Sequence, residues 1–588
     1  MRIHFRYGLL LGAVVVVLVV GKIYHLVSTR PQRTDSLRRV YINHGKSQDD
    51  NTLITKYGTN DLRLAGELGR GVVLAPEEKR RAEWAMKKYR VNVYASDIIP
   101  LNRLVPDSRP TGCQSMTYPD DLPTTSIVIP FHNEWPSILL RTVYSIINRT
   151  PSHLLKEIIL VDDESDLAEL KEELDTYIRT HLEKRGVKLI RLPRRVGLIK
   201  ARLEGFKHVT GKVVSFFDSH MEVNVDWLQP LLVEIKKNRS TVAMGHLDYI
   251  KADTLQYDFE PGYKTRYGFD WRLVFFETFF RKNQQELRSE TESLPGVVMV
   301  GPAFAVDADY FREIGTYDSG MEIWGGENIE LAWRVWLCGG QLLHSPCSKI
   351  GHIARSQPYS FPAGRYQTEM HNYKRAVEVW MGHYKKYVYE YFPAMKNLDA
   401  GDLSERVKLR ERLKCRDFGW FLDNVWPELF PYAENVFAWG GLENPDLRMC
   451  LDNDEYLFQA PNPLSIKPCT HSLPAQGFSW THRRQLRTTL QCVVVLTEEI
   501  DVVPFLQDCI EGPTETWDYI LDGMLKHEKT GLCLEAMTGP KLTLQKCDHN
   551  NKGQKWKFTH YDPSFKDRSR TTANITLNKV VEFGVVPV

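Results

Sequence analysis

The sequence predicts an α/β domain with a mostly parallel sheet, followed by a smaller domain built from a three-fold repeat. Apolar strand-like runs alternate with helical patterns between residues 125 and 217, and polar loops follow the strands. Cysteine and aromatic residues recur at a fixed spacing near the carboxyl end. The length of 588 residues exceeds what one hydrophobic core organises, which agrees with two or three domains.

Charge and cysteine content narrow the classes of partner and compartment. The 76 Lys and Arg residues nearly balance the 74 Asp and Glu residues, and a net charge of +2 predicts no nucleic-acid partner. The ten cysteines are an even number and begin at Cys113, which indicates disulfides formed in an oxidising compartment.

The amino-terminal segment predicts a membrane anchor and a stem. Residues 1–6 are short and basic, and residues 7–27 are apolar except for a few positions such as Lys22. No small-residue cleavage site follows, so a signal anchor is favoured over a cleaved signal peptide. The preceding charges predict a cytoplasmic tail at 1–6 and a lumenal remainder. Residues 28–75 are polar and irregular, which predicts a lumenal stem.

The α/β domain begins with a predicted accessory helix from Pro76 to Tyr94, and its first strand follows near residue 125. The motif Phe131-His-Asn-Glu134 is predicted to open the helix after that strand, and Lys200 to His208 to form another helix. The predicted strands are 125–130, 157–161, 187–190 and 213–217. Ligands bind at the carboxyl ends of strands in such sheets, so the polar loops at 162–166 and 218–220 predict one site.

Asp218 and His220 follow the strand 213–217 and are candidate metal ligands. They lie two residues apart, so in an extended chain both side chains project to the same side. A carboxylate with an imidazole suits a borderline divalent ion such as Mn²⁺ better than Ca²⁺. His352 would complete an Asp/His/His set with positions left for two phosphate oxygens. The alternatives are an ordinary surface loop and, for His352, a core histidine.

Two further loops carry polar groups toward the same site. Of Asp162 and Asp163, one is expected to cap the next helix and the other to accept hydrogen bonds from a uracil or ribose. Arg195, before a glycine turn, could contact a diphosphate. Trp324-Gly-Gly-Glu-Asn328 allows close backbone approach to a ligand and presents Glu327 and Asn328 from the first turn of a helix. The alternatives are a solvated basic turn and a helix-capping glycine turn.

The repeat domain is marked by three aromatic residues that each follow a cysteine. Phe478, Trp517 and Trp556 are spaced 39 residues apart. Cys450-Leu-Asp452 and Cys533-Leu-Glu535 repeat one another, whereas no acid follows Cys492 in the middle repeat. A period of this length predicts a repeat architecture.

Several longer motifs follow one another along the α/β domain. They are Ile129-Pro-Phe-His-Asn-Glu134, Leu160-Val-Asp-Asp-Glu-Ser165, Gly197-Leu-Ile-Lys-Ala-Arg202, Phe217-Asp-Ser-His220, Gly268-Phe-Asp-Trp271, Glu322-Ile-Trp-Gly-Gly-Glu-Asn328, Cys338-Gly-Gly340, Pro346-Cys-Ser348 and Gly351-His352. With these landmarks, the chain from about Tyr118 to Pro431 resembles the polypeptide N-acetylgalactosaminyltransferases, Golgi enzymes that begin mucin-type O-glycosylation. Two further motifs, Pro358-Tyr-Ser-Phe-Pro-Ala-Gly364 and Leu398-Asp-Ala-Gly-Asp402, are most similar to the glycopeptide-preferring branch.

The resemblance implies a nucleotide-sugar glycosyltransferase domain of the GT-A type that uses UDP-GalNAc and Mn²⁺. Its acceptors would be Ser or Thr of proteins or glycopeptides, with retention of configuration. It implies that Mn²⁺ is held by Asp218, His220 and His352. The implied donor contacts are Asp163 and Arg195 on the uridine nucleotide, with Ser219, Trp324, Arg355 and Tyr359 around the donor. Glu327 and Asn328, beside Trp324, are implied to contact the sugar or orient the acceptor.

One loop departs from the family pattern. Where the family usually has Met-Ala-Gly-Gly-Leu-Phe near the donor sugar, this chain has Met299-Val-Gly-Pro-Ala-Phe304. Pro302 fixes φ and removes an N–H, and Val300 is bulkier than alanine. Two alternatives therefore stay open, a non-catalytic glycopeptide-binding protein of the same fold and a transferase for another UDP-sugar.

The repeat domain resembles the all-β ricin-type β-trefoil lectin that follows the catalytic domain in this family. The resemblance implies sugar binding by Asp452 and, second, by Glu535 with Asn551; the alternative is a folded spacer with core aromatics. Implied disulfides are Cys113–Cys347, Cys338–Cys415, Cys450–Cys469, Cys492–Cys509 and Cys533–Cys547. The expected organisation is tail 1–6, signal-anchor helix 7–27, stem 28–75, catalytic domain 76–431, linker 432–446 and lectin domain 447–588. This predicts a single-pass type II Golgi membrane protein with both domains lumenal.

Overall fold

The structure is a computed structural model that describes residues 65–562, other than 260–264, 281–283, 285–288, 356–359, 456–461, 471, 510–511, 521–522, 538 and 540. The predicted cytoplasmic tail, signal anchor and most of the stem lie outside the described residues. Within the described part of the chain, no helix combines the length and apolar character needed to cross a bilayer.

The first domain is built on one large mixed sheet. The strands of this domain are β1 (Thr125–Phe131), β2 (Leu155–Asp162), β3 (Val187–Arg191), β4 (Val213–Phe216), β5 (Met221–Val223), β6 (Thr241–Lys251), β7 (Tyr257–Asp258), β8 (Thr265–Phe269), β9 (Phe275–Phe279), β10 (Leu294–Pro295), β11 (Phe304–Asp307) and β12 (Gln341–Ala354). The strand order in the sheet is β10-β12-β6-β11-β4-β1-β2-β3, with β5 paired to β12 and β7 to β6, while β8 and β9 form a separate hairpin.

The four strands predicted from the sequence form one parallel part of this sheet, and β6 and β12 form another. β1 is parallel to β2 and β4, and β2 is parallel to β3. Antiparallel pairing enters with β11, which runs between β4 and β6. Every residue of β1 is buried, with Val128 in one apolar layer and Ile127 and Ile129 in the other. Successive side chains point to opposite faces, so a continuous apolar run is what a sheet covered on both faces requires.

Helices cover both faces of the sheet and continue toward the second domain. Leu139 and Leu231 pack in one apolar layer, and Leu331 and Val377 pack in the other. The α-helices are Pro76–Tyr89, Val93–Ile98, Thr111–Gln114, Pro136–Arg149, Glu172–Tyr177, Leu198–Phe206, Gln229–Lys237, Ala308–Glu313, Glu327–Leu337, Arg365–Trp380, Lys385–Tyr391, Ser404–Arg412, Phe418–Asn424 and, in the second domain, Leu473–Gln476.

Two predicted helix positions were wrong. The accessory helix ends at Tyr89, because Arg90 takes a left-handed φ of 60°, and a second helix begins after Asn92, whose side chain accepts a hydrogen bond from Ala95 N. The motif 131–134 does not open a helix: Phe131 ends β1, and the helix starts at Pro136, a residue favoured in the first helical turn. The motif is instead a loop at the carboxyl end of β1.

The boundaries of the predicted stem and linker also shift. The end of the stem packs on the first domain, where Leu104 N donates to Glu67 Oε1 and Val72 N donates to Thr254 O. The predicted linker 432–446 contains a strand of the second domain, Val436–Asn444. The connection between the domains is therefore shorter than expected from composition.

The second domain, where the structure describes it, is built of β-strands with one short α-helix and short 3-10 turns. Phe478, Trp517 and Trp556 lie in its apolar core, each at most 2% exposed, so these aromatics are core residues. Its strands are β13 (Val436–Asn444), β14 (Met449–Asp452), β15 (Asn462–Pro463), β16 (Ser465–Pro468), β17 (Gly477–Thr481), β18 (Leu486–Arg487), β19 (Cys492–Val494), β20 (Phe505–Gln507), β21 (Trp517–Ile520), β22 (Met524–His527), β23 (Cys533–Met537), β24 (Lys541–Gln545) and β25 (Lys557–Tyr561).

All ten cysteines are paired in the structure. Two disulfides lie in the first domain and one in each repeat of the second, and the pairing matches the one that the resemblance implies. The pairs are Cys113–Cys347, Cys338–Cys415, Cys450–Cys469, Cys492–Cys509 and Cys533–Cys547.

Candidate active site

The polar cluster at the carboxyl end of β4 is assembled by strand pairing. The loop 217–220 connects β4 to β5, and β5 runs antiparallel to β12 with Met221 opposite His352. This pairing places the His220 ring beside the His352 ring, with ring centroids 5.0 Å apart. Residues that are distant in sequence thus meet at one edge of the sheet.

Asp218, His220 and His352 form a compact set of metal-ligating groups. One ligand atom from each lies within 4.8 Å of the others. His352 Nε2 is 3.5 Å from Asp218 Oδ2 and, among the described residues, this buried nitrogen makes no hydrogen bond. A buried nitrogen without a hydrogen bond, facing a carboxylate and a second imidazole, fits a bound divalent cation. The donor set suits Mn²⁺ and leaves positions for other ligands.

The charge states of this cluster favour metal binding. Burial opposes ionisation of Asp218, but the neighbouring His352 and Arg202 outweigh burial and lower the pKa of this carboxyl below its usual value. Arg202 Nη2 lies 3.2 Å from Asp218 Oδ1. Burial, followed by the charge of Arg355, lowers the pKa of His220. An ionised carboxylate and a neutral imidazole are the forms that coordinate metals.

Neither aspartate after β2 is the simple helix cap that the sequence predicted. Asp162 Oδ1 accepts a hydrogen bond from Ser165 N at 2.8 Å and so caps a turn. Asp163 accepts from Val196 N at 2.7 Å and from Gly197 N at 2.9 Å, one on each oxygen, and burial raises its pKa. A carboxylate has further lone pairs, so Asp163 keeps capacity for a ligand donor.

Arg195 lies on the turn that Asp163 organises. Its Nε is 3.7 Å from Asp163 Oδ2, and its side chain is 18% exposed. Gly197 on the same turn bridges to Ile323, next to Trp324. The structure thus brings the predicted nucleotide residues and the predicted sugar residues to adjoining loops.

Glu327 and Asn328 present buried acceptor atoms at the start of the helix Glu327–Leu337. Gly325 and Gly326 before it have φ of 101° and 84°, values that favour glycine. Glu327 Oε2 accepts from Gly325 N at 2.8 Å. Within the described part of the chain, Glu327 Oε1 and Asn328 Oδ1 have no hydrogen-bond partner, and burial raises the pKa of Glu327. Unsatisfied buried acceptors are costly, which points to a ligand that donates hydrogen bonds.

The remaining predicted donor contacts converge on a residue that the sequence did not single out as functional. Ser219 Oγ donates to Glu134 Oε2 at 2.9 Å, and Arg355 Nη2 donates to the same oxygen. Asn372 was also missed: its Nδ2 donates to the carbonyls of Glu322 and Gly325 and holds the glycine turn. Both residues act through the fold, and no local motif marks that role. Tyr359 lies outside the described residues.

The loop that departs from the family pattern lies against this site. A Cβ added to Gly301 would stand 3.2 Å from Asn328 Nδ2. Ala303 adopts φ 63° and its N–H donates to Phe216 O at 2.7 Å. Val300 is partly buried against the large apolar core. The substitutions are therefore beside the polar groups of the site.

The second domain holds two comparable carboxylate–glutamine pairs. Asp452 Oδ2 accepts from Gln476 Nε2 at 3.0 Å, and Glu535 Oε2 accepts from Gln554 Nε2 at 2.9 Å. Asn551 lies near the second pair and its side chain accepts from Gly553 N. In the middle repeat the corresponding position is the buried Val494.

Comparisons with known proteins agree with this architecture. Residues 126–315 match the family model "Glycosyl transferase family 2", and residues 438–556 match "Ricin-type beta-trefoil lectin domain". Polypeptide N-acetylgalactosaminyltransferase 13 of Homo sapiens is 39% identical over 499 residues, which cover 84% of this chain and 88% of the relative. Polypeptide N-acetylgalactosaminyltransferase 11 of Xenopus tropicalis is 39% identical over 515 residues, 84% of each chain.

A solved structure is similar over both domains. The crystal structure of GalNAc-T7 with UDP, GalNAc and Mn²⁺ aligns with a TM-score of 0.60 and 33% identity. The alignment covers 85% of this chain and 93% of that chain. The similarity therefore includes the catalytic-type domain and the repeat domain together.

Proposed function

Since the chain belongs to the polypeptide N-acetylgalactosaminyltransferase family, we propose that it transfers GalNAc from UDP-GalNAc to Ser or Thr of polypeptides, with Mn²⁺ and with retention of configuration. The observation that carries the proposal is the Asp218–His220–His352 cluster beside two buried acceptor atoms that make no hydrogen bond with any described residue. A metal for a diphosphate and acceptors for a sugar are what a nucleotide-sugar transferase needs in one place.

The metal would be held by Asp218, His220 and His352. When bound, Mn²⁺ supplies positive charge that stabilises the negative charge developing on the departing diphosphate. Arg355 adds a fixed guanidinium beside the cluster, where its Nη2 lies 3.3 Å from His220 Nδ1. A guanidinium is suited to a phosphate oxygen because its donors form a planar fork.

The other residues of the site would bind and orient the donor. Asp163 and Arg195 present an acceptor and a cation for the nucleotide at the ends of β2 and β3. Glu327 Oε1 and Asn328 Oδ1 would accept hydrogen bonds from the sugar or from the acceptor hydroxyl. A sugar that is hydrogen-bonded by two buried groups is positioned for transfer.

Location and acceptor class are proposed on further grounds. Five disulfides in the described chain support a lumenal compartment, and the apolar segment 7–27 supports a type II signal anchor in the Golgi membrane. Two carboxylate–glutamine pairs in the lectin domain support binding of GalNAc already present on an acceptor glycopeptide.

A transfer assay tests the proposal. Full-length protein in detergent, given UDP-GalNAc and Mn²⁺, is offered naked and GalNAc-bearing mucin peptides, and products are measured by mass spectrometry. We expect a gain of one N-acetylhexosamine on Ser or Thr, and a loss of about 100-fold or more in rate for Asp218→Asn. Folded protein that transfers nothing to either peptide, or an active Asp218→Asn variant, would contradict it.

A further inference from the structure

Glu134 is a buried carboxylate next to the metal-ligating residues Asp218, His220 and His352, and the proposed transfer reaction gives it no role. Its side chain is 1% exposed. Oε2 accepts hydrogen bonds from His220 Nδ1 at 3.0 Å, from Ser219 Oγ at 2.9 Å and from Arg355 Nη2. Three groups predicted to serve the metal or the donor therefore meet on one oxygen atom.

The fold holds Glu134 rigidly in this position. It follows β1, and the turn at Asn133 has φ 52°. Glu134 Oε1 accepts from Trp135 N at 2.9 Å, at the start of the helix Pro136–Arg149. Glu134 is thus paired with the Arg355 guanidinium through Oε2 and anchored through its other oxygen to a helix terminus.

The carboxylate that pairs with Arg355 determines which tautomer His220 adopts. A carboxylate only accepts hydrogen bonds, so His220 Nδ1 must carry the proton. In a neutral imidazole the lone pair then lies on Nε2, which is the form that ligates a metal. Arg355 Nη2 also lies 3.3 Å from His220 Nδ1, but its closer partner is the Glu134 oxygen. The carboxylate is therefore the partner that determines the proton position.

We propose that Glu134 is the positioning residue of the metal site. It holds His220 in the Nδ1–H tautomer with Nε2 available to Mn²⁺, and it holds Arg355 and Ser219 beside His220. The inference rests on the proposed Mn²⁺-dependent function. Metal affinity and diphosphate binding both depend on this one carboxylate, because it orients a metal ligand and a cation together.

A purely structural role for the Glu134–Arg355 pair makes a different prediction. A buried ion pair that only stabilises the fold would lower the thermal midpoint when it is broken, without changing metal affinity. Glu330 provides a matched control, because it is 1% exposed and pairs with Arg334 at 2.7 Å in the helix Glu327–Leu337. Glu134→Gln and Glu330→Gln remove the same charge from equally buried carboxylates.

Calorimetric titration of full-length protein with MnCl₂, in the absence of donor, tests the inference. We expect Glu134→Gln to raise the Mn²⁺ dissociation constant by about 10- to 100-fold. This is the range for loss of a group that orients a metal-binding histidine. Glu330→Gln should keep the wild-type dissociation constant. Raising the Mn²⁺ concentration should restore part of the transfer rate of Glu134→Gln.

The inference is overturned if folded Glu134→Gln binds Mn²⁺ as tightly as the wild type, whatever its thermal midpoint. If that variant does not fold, Glu134→Asp keeps the charge but shortens the reach to His220, and unchanged affinity in it overturns the inference equally. Failure of the proposed function looks different: wild-type protein would then bind no Mn²⁺, or Asp218→Asn would bind it equally well.

Discussion

The buried acceptors Glu327 Oε1 and Asn328 Oδ1 connect single residues to function. Each costs about 1–3 kcal/mol while it has no partner, and neither makes a hydrogen bond with the described residues. Glu327 carries a further cost, because burial raises its pKa above the ordinary carboxyl value of 4.5. A site that keeps such groups lowers the stability of the free protein, and a ligand that donates hydrogen bonds to them removes this cost.

This cost gives a prediction for Glu327→Gln. The folded state holds the Glu327 proton more tightly than the unfolded state does, so the stability contributed by this group is lost as pH rises through the folded pKa. At neutral pH the buried carboxylate destabilises the fold, and Glu327→Gln should raise the thermal midpoint more at pH 7 than at pH 4. The same variant should lose roughly tenfold or more in transfer rate.

Thermal scans at the two pH values, together with the transfer assay, check the prediction. Glu330→Gln is the control, and its thermal midpoint should change in the opposite direction. It leaves the buried Arg334 without its carboxylate and should therefore lower the midpoint. A lower midpoint for Glu327→Gln at pH 7 would contradict the account of Glu327.

Among the elements, strands β1 to β4 could be predicted from the sequence, whereas the pairing of β5 with β12 could not. β1 and β2 contain uninterrupted buried apolar runs, β4 is buried throughout, and the bounds of β1 to β4 differ from the prediction by one or two residues. β6 and β12 mix polar residues with apolar ones, and His352 lies near the end of β12. The pairing of β5 with β12 that brings His352 to His220 is long-range, so the sequence could indicate it only through family resemblance.

Local backbone chemistry explains the element-scale errors. The helix after β1 was placed too early because Phe131 to Glu134 read as its first turn, whereas these residues form the loop that carries Glu134 to the metal cluster. The roles of Glu134 and Asn372 depend on contacts across the fold, so no spacing in the sequence indicates them.

The disulfide Cys338–Cys415 should be a major stabiliser of the catalytic domain. It joins the end of the helix Glu327–Leu337 to a residue 77 positions later. Loop-closure entropy predicts a loss of about 4 kcal/mol when both cysteines become serine. The thermal midpoint of the catalytic-domain transition, measured by calorimetry, should fall by several degrees.

The shorter disulfide Cys533–Cys547, with a separation of 14, supplies the comparison. Its double serine variant should lower the lectin-domain transition by the equivalent of about 3 kcal/mol and leave the catalytic-domain transition in place. An unchanged thermal midpoint of the catalytic-domain transition after loss of Cys338–Cys415 would contradict the prediction.

At the scale of the whole molecule, the two domains are in direct contact. Ser479 Oγ donates to Tyr432 O at 2.8 Å, and Arg487 Nη2 donates to Glu428 O at 3.1 Å. Arg487 also lies over the Phe430 ring, 4.4 Å from its centroid. These contacts attach the lectin domain to the end of the catalytic domain.

This arrangement predicts separate effects on two acceptor classes. Asp452→Asn weakens a carboxylate proposed to bind GalNAc, so it should reduce transfer to distant sites on a GalNAc-bearing peptide by about tenfold and leave naked peptide unchanged. Val494→Ala, at the corresponding position of the middle repeat, is the control. If Asp452→Asn and Glu535→Gln both transfer to glycopeptide at the wild-type rate, the lectin domain has no role in acceptor choice.

Anomalous diffraction can show whether Asp218, His220 and His352 hold the Mn²⁺ proposed to serve a UDP-sugar, which is the claim that the proposed function needs. Crystals of the protein grown with MnCl₂ and UDP would be measured on both sides of the manganese absorption edge. We predict one strong anomalous peak bounded by the Asp218 carboxylate and the two imidazoles, with diphosphate density against it. Manganese bound elsewhere, with no peak at these three residues and UDP in place, would contradict the claim.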